Sequence, residues 1–376
     1  MDLAPKDLAR LRRRLLEWYE RHRRDLPWRR EPTLYRVLLS EFMLQQTRVD
    51  QALPYYHRFL AAFPTLRALA EAELGAVMKL WEGLGYYRRA KFLHAAARHL
   101  APIAQPGVAD LDGCPGIGPY TKAAIGSIVW GAPLAVVDGN VNRVFARLTA
   151  LALPPAGSAG KKQVQALADA LLAPGRSGDW NQAVMELGAT VCSPRAPQCL
   201  ICPLESFCAA RKAGQPEAFP IVAAKAPRPH KQIAAAIIRR GDGKILIAQR
   251  LSGGLLGDLW EFPGGKQESG EPLSETCARE VKEELGVEVD VGAEVYAIEH
   301  GYSHFTITLH VFECVYRGGK PRTLGCQAFK WVAQSELKAF PFPRANQEII
   351  ARLSAGKARG VRKGRAAKKR AKRTAK

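Results

Sequence analysis

This sequence lacks long apolar runs. No stretch of about 18 residues is apolar enough to span a membrane. The N-terminal segment MDLAPKDLARLRRRLLEWYE also lacks the apolar core of a signal peptide, and its spacing predicts a basic amphipathic helix. We therefore expect a soluble, intracellular protein with no membrane partner. In that setting the eight cysteines are not expected to form a disulfide framework.

Acidic residues are scarce relative to basic ones. The chain has 56 Lys+Arg against 35 Asp+Glu, which gives a formal net charge of +21. The segment from Lys357 to Lys376 is rich in Lys and Arg and has no acid, so this tail explains about half of the excess. The other half predicts a polyanionic partner such as nucleic acid, without specifying which one.

The hydrophobic periodicity changes along the chain. Up to about residue 210, apolar residues recur at three- and four-residue spacing, with expected breaks at prolines such as Pro54. A segment with four prolines follows, and after it come short β-rich runs and one acidic helix. The predicted division is a helical domain (1–212), a linker (213–230), an α/β domain (231–353) and a basic, disordered tail (354–376).

Four cysteines cluster near the end of the helical domain, in TVCSPRAPQCLICPLESFC. They are Cys192, Cys199, Cys202 and Cys208. Four thiolates within one loop (192–208) can converge on a metal centre, and unrelated buried cysteines would rarely have this spacing. Thiolates suit both zinc and iron–sulfur centres, so ligand type leaves both open.

The stretch LDGCPGIGPYTKAAIGSIV predicts two helices joined by a tight turn. Gly116 and Gly118 allow the backbone to approach a ligand closely, and the N–H groups that open the second helix point outward. This element resembles a helix-hairpin-helix, which binds a DNA phosphate without reading sequence. A plain helix–helix turn is the alternative.

Two carboxylates occupy positions suited to acid–base chemistry. Glu41 lies within an apolar helical stripe in PTLYRVLLSEFMLQQTR, where burial would raise its pKa; a structural Glu paired with a buried Arg is the alternative. Asp138 precedes a helix in APLAVVDGNVNRVFARL, where a plain N-cap is the alternative. The helix N-terminus would keep this aspartate ionised. One neutral and one charged carboxyl group suit the cleavage of a glycosidic bond.

Together these stretches resemble the adenine DNA glycosylases of the MutY family, within the endonuclease-III-like helix-hairpin-helix superfamily. The resemblance covers about residues 8–350 and rests on LPWR, SEFMLQQTRV, LWEGLGYYRRA, PGIGPYTKAAI, VVDGNVNRV, NQAVMELGA and the cysteine spacing. It implies an all-α helix-hairpin-helix glycosylase domain with a [4Fe–4S] cluster loop, followed by an α/β Nudix-fold domain. It also implies base-excision repair of adenine mispaired with 8-oxoguanine or guanine in double-stranded DNA. We expect a monomer that works on nucleoid DNA in a bacterial cytoplasm.

The resemblance assigns roles to individual residues. The adenine would be flipped out of the duplex into a pocket. Glu41 would protonate it at N7 and later assist water, while Asp138 would stabilise the oxocarbenium-like sugar electrostatically or through a transient covalent bond. Further positions that support the pocket, contact adenine or fill the gap beside it are Tyr120, Asn140, Glu186, Arg24, Trp28, Gln46 and Tyr86.

Tyr120 separates two classes of enzyme. Bifunctional relatives carry a lysine at this position, whose amine attacks the sugar as a Schiff-base nucleophile. A phenol cannot do this, and Lys122 lies roughly 200° further around a helix. A monofunctional glycosylase is therefore expected. The alternatives are a bifunctional pyrimidine-damage glycosylase/AP lyase and a non-catalytic DNA-binding scaffold.

The C-terminal domain resembles the Nudix-fold domain with which this family checks for 8-oxoguanine. The stretch EHGYSHFTITLHVF places Ser303 and His304 at the family's reading loop. Tyr302 stands where Phe is more common in the family. By itself, a Ser-His pair would be an ordinary polar pair at a strand end.

The segment GGKQESGEPLSETCAREVKEELGV fits the complete Nudix box, whereas this family usually has a degraded one. Glu280, Glu283 and Glu284 fall on one helical face, where a divalent cation would relieve their repulsion. The local match, with LWEFPGGK before the box and FPRANQEIIARL near the end, resembles the 8-oxo-dGTP diphosphatases of the MutT type. This resemblance places Asn346 at a base-reading position and implies that Mg²⁺, held with help from the Gly265 carbonyl, would support hydrolysis of 8-oxo-dGTP to its monophosphate. The alternative is an acidic helix retained as inherited structure.

Overall fold

The computed structural model describes residues 4–154, 157–221, 227–302 and 304–356. Contacts divide the chain into two compact units, namely Met1–Val77 with Arg89–Lys225, and Met78–Arg88 with Ala226–Lys376. The short segment Met78–Arg88 therefore belongs with the later part of the chain. Among the described residues, no helix combines the length and the apolar composition needed to cross a membrane.

The first unit is helical, as the apolar spacing predicts. Its helices are α1 (Pro5–His22), α2 (Pro27–Arg30), α3 (Leu34–Leu44), α4 (Val49–Ala62), α5 (Leu66–Glu71), α6 (Leu74–Trp81), α7 (Arg88–Leu100), α8 (Pro119–Trp130), α9 (Gly139–Thr149), α10 (Ser158–Leu171), α11 (Ser177–Thr190) and α12 (Ala209–Lys212). Helix α6 runs from the first unit into Met78–Arg88, and α7 begins at its last residue.

Helix α11 lies at the centre of this unit and packs against α1, α8 and α9. Helix α9 buries Val141, Val144, Phe145 and Leu148, which lie at the spacing that places side chains on one helical face. Burial of this stripe fixes α9 beside α11. The N-terminus of α9, where Asp138 is the N-cap, is thereby held near the middle of the unit.

The predicted break at Pro54 is wrong, since α4 runs through this residue from Val49 to Ala62. Proline removes one helical hydrogen bond and usually bends a helix. Tertiary packing outweighs that cost here, because Ala52, Tyr56 and Phe59 on either side of the proline are buried.

The second unit contains a six-stranded mixed sheet. Its strands are β1 (His230–Arg239), β2 (Ile245–Gln249), β3 (Trp260–Glu261), β4 (Glu288–Gly301), β5 (Thr306–Gly318) and β6 (Ala328–Val332), and its two longer helices are α13 (Leu273–Leu285) and α14 (Arg344–Ser354). The strand order is β3-β2-β1-β5-β4, with β6 also paired to β2, and β1 runs parallel to β5.

Each face of the sheet is covered by a helix. Ala235 and Ile237 of β1 join the core that includes α14, while Ala234, Ala236 and Ile238 join the core that includes α13. Burial on both faces explains why β1 reads as a continuous apolar run rather than an alternating one. Strand β3 has only two residues and was not predicted as a strand.

Candidate active site

The helical unit contains a cleft of ≈ 570 Å³, lined by residues of α2, α3, α4, α8, α9 and α11 and of their connections. Among the lining residues are seven that were singled out from the sequence: Arg24, Trp28, Glu41, Tyr120, Asp138, Asn140 and Glu186. The fold thus brings together side chains from distant parts of the chain.

Glu41 lies on α3 and is only 7% exposed. Burial raises its pKa to about 7, and the nearby charge of Asp138 acts in the same direction, whereas a hydrogen bond with Tyr120 opposes the shift. The neighbours that act on this carboxyl group are thus Tyr120 and Asp138, rather than the arginine that a purely structural glutamate would need. Near neutral pH, Glu41 can both hold and release a proton.

Tyr120 is the second residue of α8, and burial raises the pKa of its phenol well above the usual value. Its hydroxyl lies 3.8 Å from Met185 Sδ and also interacts with Glu41. A hydroxyl has one proton, and a carboxyl oxygen is a better acceptor than a thioether, so we assign the donated hydrogen bond to Glu41.

Lys122 points away from this chemistry. Its Nζ atom lies 2.6 and 2.7 Å from the two carboxylate oxygens of Asp112. No lysine is among the described residues that line the cleft. The geometry therefore agrees with the helical-wheel argument against Lys122 as a substitute nucleophile.

Asp138 caps α9, as its position before the helix predicts. Its carboxylate accepts a hydrogen bond from Val141 N at 2.7 Å and another from Asn140 Nδ2 at 3.1 Å. Burial nevertheless raises the pKa of Asp138, against the effect of these hydrogen bonds and of Arg143. The direction differs from the N-cap expectation because desolvation outweighs the helix terminus.

Arg143 was missed from the sequence. Its Nη2 atom donates to Asn140 Oδ1 at 2.8 Å and to Gly188 O at 2.7 Å, and its Nε atom donates to Cys192 O at 2.8 Å. Arg143 therefore fixes the amide that contacts Asp138 and ties it to the start of the cysteine loop. A Cβ atom at Gly188 would lie 2.6 Å from the Asn140 Cβ, so this close approach of α11 requires glycine.

Glu186 is held as an anion. Its side chain is 0% exposed and accepts from Arg24 Nε at 2.7 Å, Arg24 Nη2 at 2.9 Å and Arg29 Nη2 at 2.8 Å. Burial alone would raise its pKa, but these hydrogen bonds prevail and lower the pKa to about 2. Arg29 belongs to the LPWR stretch, yet nothing in the sequence pairs it with a residue so far along the chain.

Two of the residues predicted to contact adenine or to fill the gap beside it have left-handed backbone conformations. Gln46, just after α3, has φ +58°, and Tyr86 has φ +50° with 44% of its surface exposed. Such conformations are costly for residues with a Cβ and concentrate at functional sites. Neither residue lines the cleft. Their contact with DNA stays a prediction.

The predicted hairpin ends at α8. Gly116 has φ +76°, and a Cβ there would lie 2.4 Å from the Phe92 Cβ. Gly118 is the N-cap of α8, and a Cβ there would meet no atom within 4 Å. Gly116 is therefore required by packing, whereas Gly118 leaves open space in front of outward-facing N–H groups.

The four clustered cysteines follow α11 and lie beside α9. Arg147 Nη1 lies 3.3 Å from Cys192 Sγ, and Cys208 Sγ lies 3.3 Å from Arg147 O. Burial raises the pKa of Cys202 to about 12, and the other three thiols add to this through their charges. In the part of the chain that the structure describes, no group of three or more His, Cys, Asp or Glu side chains is arranged to hold a metal ion.

An arginine braces the acidic helix of the second unit. Arg279 Nε and Nη2 contact the two carboxylate oxygens of Glu271 at 2.8 and 3.1 Å, and Nη1 contacts Glu280 at 3.2 Å and Glu283 at 3.0 Å. The hydrogen bond from Arg279 is the main reason why the pKa of Glu271 is lowered to about 2. A Cβ at Gly265 would lie 2.2 Å from Glu280 Cδ, so this carboxyl group is packed against the loop.

The carboxyl group of Glu261 lies near those of Glu280 and Glu284 and interacts with them. The side chain of Glu283 is mostly exposed. Glu261, in β3, is ion-paired with Arg250 and was missed from the sequence. Burial raises the pKa of Glu261 to about 7 and that of Glu284 to about 8. The charge of Glu280 adds to both shifts, and the charge of Glu261 adds to that of Glu284. Glu284 Oε2 also accepts from Gly264 N at 3.2 Å.

The predicted reading loop connects β4 to β5. Tyr302 N donates to Phe305 O at 2.8 Å, the two rings lie 4.8 Å apart, and His304 is exposed. Ser303 lies outside the described residues. Asn346, on α14, is buried, and its Oδ1 accepts from Phe262 N at 3.0 Å, so this oxygen is already used by the backbone.

Two family models match the chain in the order of its two units. Residues 39–174 match the HhH-GPD superfamily of base excision DNA repair proteins, and residues 234–352 match the NUDIX domain. The fold and the cleft thus define a helix-hairpin-helix DNA glycosylase joined to a Nudix-fold domain.

Relatives that align with most of this chain identify the family more closely than the two domain matches do. The chain is 33% identical to the human adenine DNA glycosylase, over 92% of this chain and 74% of that protein, and 32% identical to the Schizosaccharomyces pombe adenine DNA glycosylase, over 88% and 87%. The chain belongs to the adenine DNA glycosylase family. A thermostable thymine-DNA glycosylase has a similar structure, with a TM-score of 0.51 and 25% identity over 56% of this chain and all of that one.

Proposed function

We propose that this adenine DNA glycosylase removes adenine mispaired with 8-oxoguanine or guanine from double-stranded DNA, by hydrolysing the N-glycosidic bond without cutting the strand. The observation that carries the proposal is the buried Glu41, with its pKa near 7, beside Tyr120 and Asp138 in one cleft. A carboxyl group in this state suits protonation of a poor leaving group.

The residues of the cleft have different roles in the proposed reaction. Glu41 protonates adenine at N7 and then assists the attacking water, while Tyr120 orients the carboxyl group of Glu41. Asp138, held by Val141 N and Asn140, stabilises the positive charge that develops on the sugar, electrostatically or through a transient covalent bond.

The base is flipped into the cleft because its glycosidic bond cannot be reached inside the duplex. We infer that Arg24 and Trp28 contact the adenine and that the buried anion Glu186 fixes Arg24. Gln46 and Tyr86 occupy the gap that the flipped base leaves. The N-terminus of α8, at Gly116 and Gly118, binds a DNA phosphate.

Absence of strand cleavage follows from Tyr120. A phenol cannot form a Schiff base with the sugar, and Lys122 is paired with Asp112 outside the cleft. A bifunctional glycosylase/AP lyase would instead be trapped on damaged DNA by borohydride.

Recognition of 8-oxoguanine is assigned to the loop of Tyr302, Ser303 and His304. The linker (213–230) and the basic tail (354–376) complete the proposed organisation. We place the protein, as a monomer, with its substrate on the nucleoid DNA of a bacterial cytoplasm.

Cys192, Cys199, Cys202 and Cys208 are the proposed ligands of a [4Fe–4S] cluster. Membership of the adenine DNA glycosylase family supports this assignment, because the four cysteines have the spacing that the resemblance associates with such a cluster. Thiolates are the usual ligands of iron–sulfur clusters. Burial raises the pKa values of Cys199, Cys202 and Cys208, so these thiols ionise readily only when cations compensate the charge.

The test is excision by the purified full-length chain on duplexes with A:8-oxoguanine, A:G and A:C pairs. We expect adenine release from the first two and no borohydride-trapped complex. Glu41→Gln and Asp138→Asn should each nearly abolish release while keeping mismatch affinity. Retained single-turnover activity in either variant would remove that residue from the mechanism, and release of a pyrimidine with strand cleavage would favour the bifunctional alternative.

A second activity is favoured by the second unit. We infer that Glu280, Glu283 and Glu284, with the Gly265 carbonyl and the additional Glu261, bind Mg²⁺, and that the domain hydrolyses 8-oxo-dGTP to its monophosphate. Burial raises the pKa values of Glu261 and Glu284, and repulsion from neighbouring carboxyl groups adds to the shift. A divalent cation would relieve that repulsion. The resemblance places Asn346 near the base, with its Nδ2 group as the available donor.

The test uses the full chain with millimolar Mg²⁺ and 8-oxo-dGTP. Glu284→Gln should abolish hydrolysis and leave adenine excision unchanged, whereas Glu275→Gln, an exposed acid on the same helix, should change neither. A folded protein that hydrolyses neither oxidised nor normal nucleotides would leave the box as inherited structure.

A further inference from the structure

The segment Met78–Arg88 carries the exposed, strained Tyr86 and belongs to the second unit. Its sequence, MKLWEGLGYYR, places three residues with positive φ close together: Gly83 (+93°), Gly85 (+78°) and Tyr86 (+50°). A tyrosine adopts this conformation only where its surroundings hold it. The hydrogen bonds of the segment show what holds it.

Tyr87, the next residue, is 5% exposed and closes the loop from inside. Its hydroxyl accepts from Gly83 N at 3.2 Å and donates to Phe342 O at 3.2 Å. One phenol oxygen therefore satisfies a loop amide and a backbone carbonyl of the later chain. Trp81, which is fully buried, adds a second closure by donating from Nε1 to Gly85 O at 3.0 Å.

Glu82 makes the complementary contact. Its Oε1 accepts from Phe342 N at 2.9 Å, so both backbone groups of Phe342 are bonded to this segment. Lys79 Nζ donates to Glu82 Oε2 at 2.5 Å and to Phe340 O at 3.1 Å. Three side chains of the segment thus attach it to the backbone of Phe340–Phe342.

Phe340–Phe342 is in turn fixed to the Nudix-fold core. Trp260 N, in β3, donates to Pro341 O at 2.9 Å, and the buried Phe342 ring stacks on Phe262 with 5.7 Å between ring centres. Phe262 immediately follows Glu261 and bonds to Asn346. The position of the Tyr86 loop therefore depends on the core of the second unit.

We propose that Tyr87 and Glu82 are positioning residues that hold Tyr86 in the conformation that fills the DNA gap, using the backbone of Phe342 as their anchor. The proposal rests on the proposed function, in which Tyr86 enters the gap beside the flipped adenine. The second unit then contributes to mismatch recognition by two routes. One is the loop of Tyr302 and His304, and the other is the placement of Tyr86.

The decisive variant is Tyr87→Phe in the full-length chain, because it removes only the hydroxyl. We expect a roughly tenfold loss of affinity for an A:8-oxoguanine duplex, the scale of one lost hydrogen-bond pair, with an unchanged single-turnover rate at saturating enzyme. In a Tyr86→Ala background, Tyr87→Phe should cause no further loss, because the residue it positions is gone.

Glu82 supplies the matched pair of variants. Glu82→Ala removes the acceptor of Phe342 N and should weaken mismatch binding, whereas Glu82→Gln keeps an amide oxygen there and should restore it. Thermal unfolding of each variant, followed by circular dichroism, separates a folding defect from a positioning defect.

Two results of the binding measurements would overturn the proposal that Tyr87 positions Tyr86. Equal losses from Tyr87→Phe in the wild-type and Tyr86→Ala backgrounds would show a general structural role and overturn the proposal, as would wild-type affinity of the Tyr87→Phe protein. If wild-type protein releases no adenine from A:8-oxoguanine, the proposed function itself fails, and that outcome is seen before any variant is compared.

Discussion

At Glu41, the proposed catalytic role and folding make opposite demands. Its carboxyl group is buried with a pKa of about 7, which suits a general acid. The unfolded chain has the ordinary glutamate pKa, 4.5, so it releases this proton about two to three units lower. Between these two values the folded state binds more protons, and its stability therefore falls as the pH rises from about 4.5 through about 7.

Replacement of Glu41 by Gln removes this penalty. We expect Glu41→Gln to increase the free energy of unfolding relative to wild type by up to about 3 kcal/mol at pH 8, and by almost nothing near pH 4.5. Chemical denaturation of both proteins across this pH range measures the difference. Glu17→Gln, on the half-exposed face of α1, is the control and should show no such pH dependence. Equal stability of Glu41→Gln and wild type at pH 8 would show that burial does not raise the pKa of Glu41.

The two carboxylates could be found from the sequence because each leaves a local signal. Glu41 interrupts an apolar stripe, and Asp138 stands directly before a helix. Arg143, Arg29 and Glu261 leave none, since their significance depends on partners that only the fold brings near. The upward shift of the pKa of Asp138 could not be predicted for the same reason, because burial of a helix cap is a tertiary property.

At the scale of elements, the hairpin before α8 separates two reasons for using glycine. Gly116 combines a left-handed φ with a position where a Cβ would clash with Phe92, whereas Gly118 has φ −91° and open space around it. The glycine at 116 is required by folding, whereas for Gly118 the proposed reason is a DNA phosphate in front of the helix N-terminus.

A pair of alanine variants tests this separation. Gly116→Ala should lower the melting temperature, with a loss of stability of roughly 1–3 kcal/mol, from overpacking and backbone strain together. Gly118→Ala should keep the wild-type melting temperature but weaken binding to an undamaged duplex. Calorimetry and fluorescence anisotropy provide the two measurements. Unchanged DNA affinity of Gly118→Ala would remove this turn from the phosphate contact.

Elements with a strong periodic pattern were predicted well, and short or interrupted ones were not. Helix α13 and β1, β2, β4, β5 and β6 lie where the sequence patterns place them. Strand β3 is too short for any periodic signal, and α4 passes through Pro54 because buried neighbours compensate its lost hydrogen bond. Local sequence propensity is the poorest guide to secondary structure where tertiary packing is strongest.

At the scale of the whole molecule, charge is distributed unevenly along the chain. Half of the excess positive charge belongs to Lys357–Lys376, which lies outside the described residues, so the prediction for this segment rests on its composition. Deleting it should weaken binding to all duplexes by a similar factor. The slope of log K against log salt should become shallower, because fewer counterions are released. Titrations at several salt concentrations measure this, and an unchanged slope would show that the tail does not contact phosphate.

The membership of Met78–Arg88 in the second unit affects how this protein could be recombined with its relatives. A single crossover in the proline-rich segment before β1 would transfer the sheet and α14 but leave behind the donor of the Phe342 O bond and the acceptor of the Phe342 N bond. A chimera made in this way would join a foreign Phe340–Phe342 backbone to an unmatched partner segment. Transfer of the intact unit requires an exchange at two separate places in the gene, so these two stretches are expected to be inherited together.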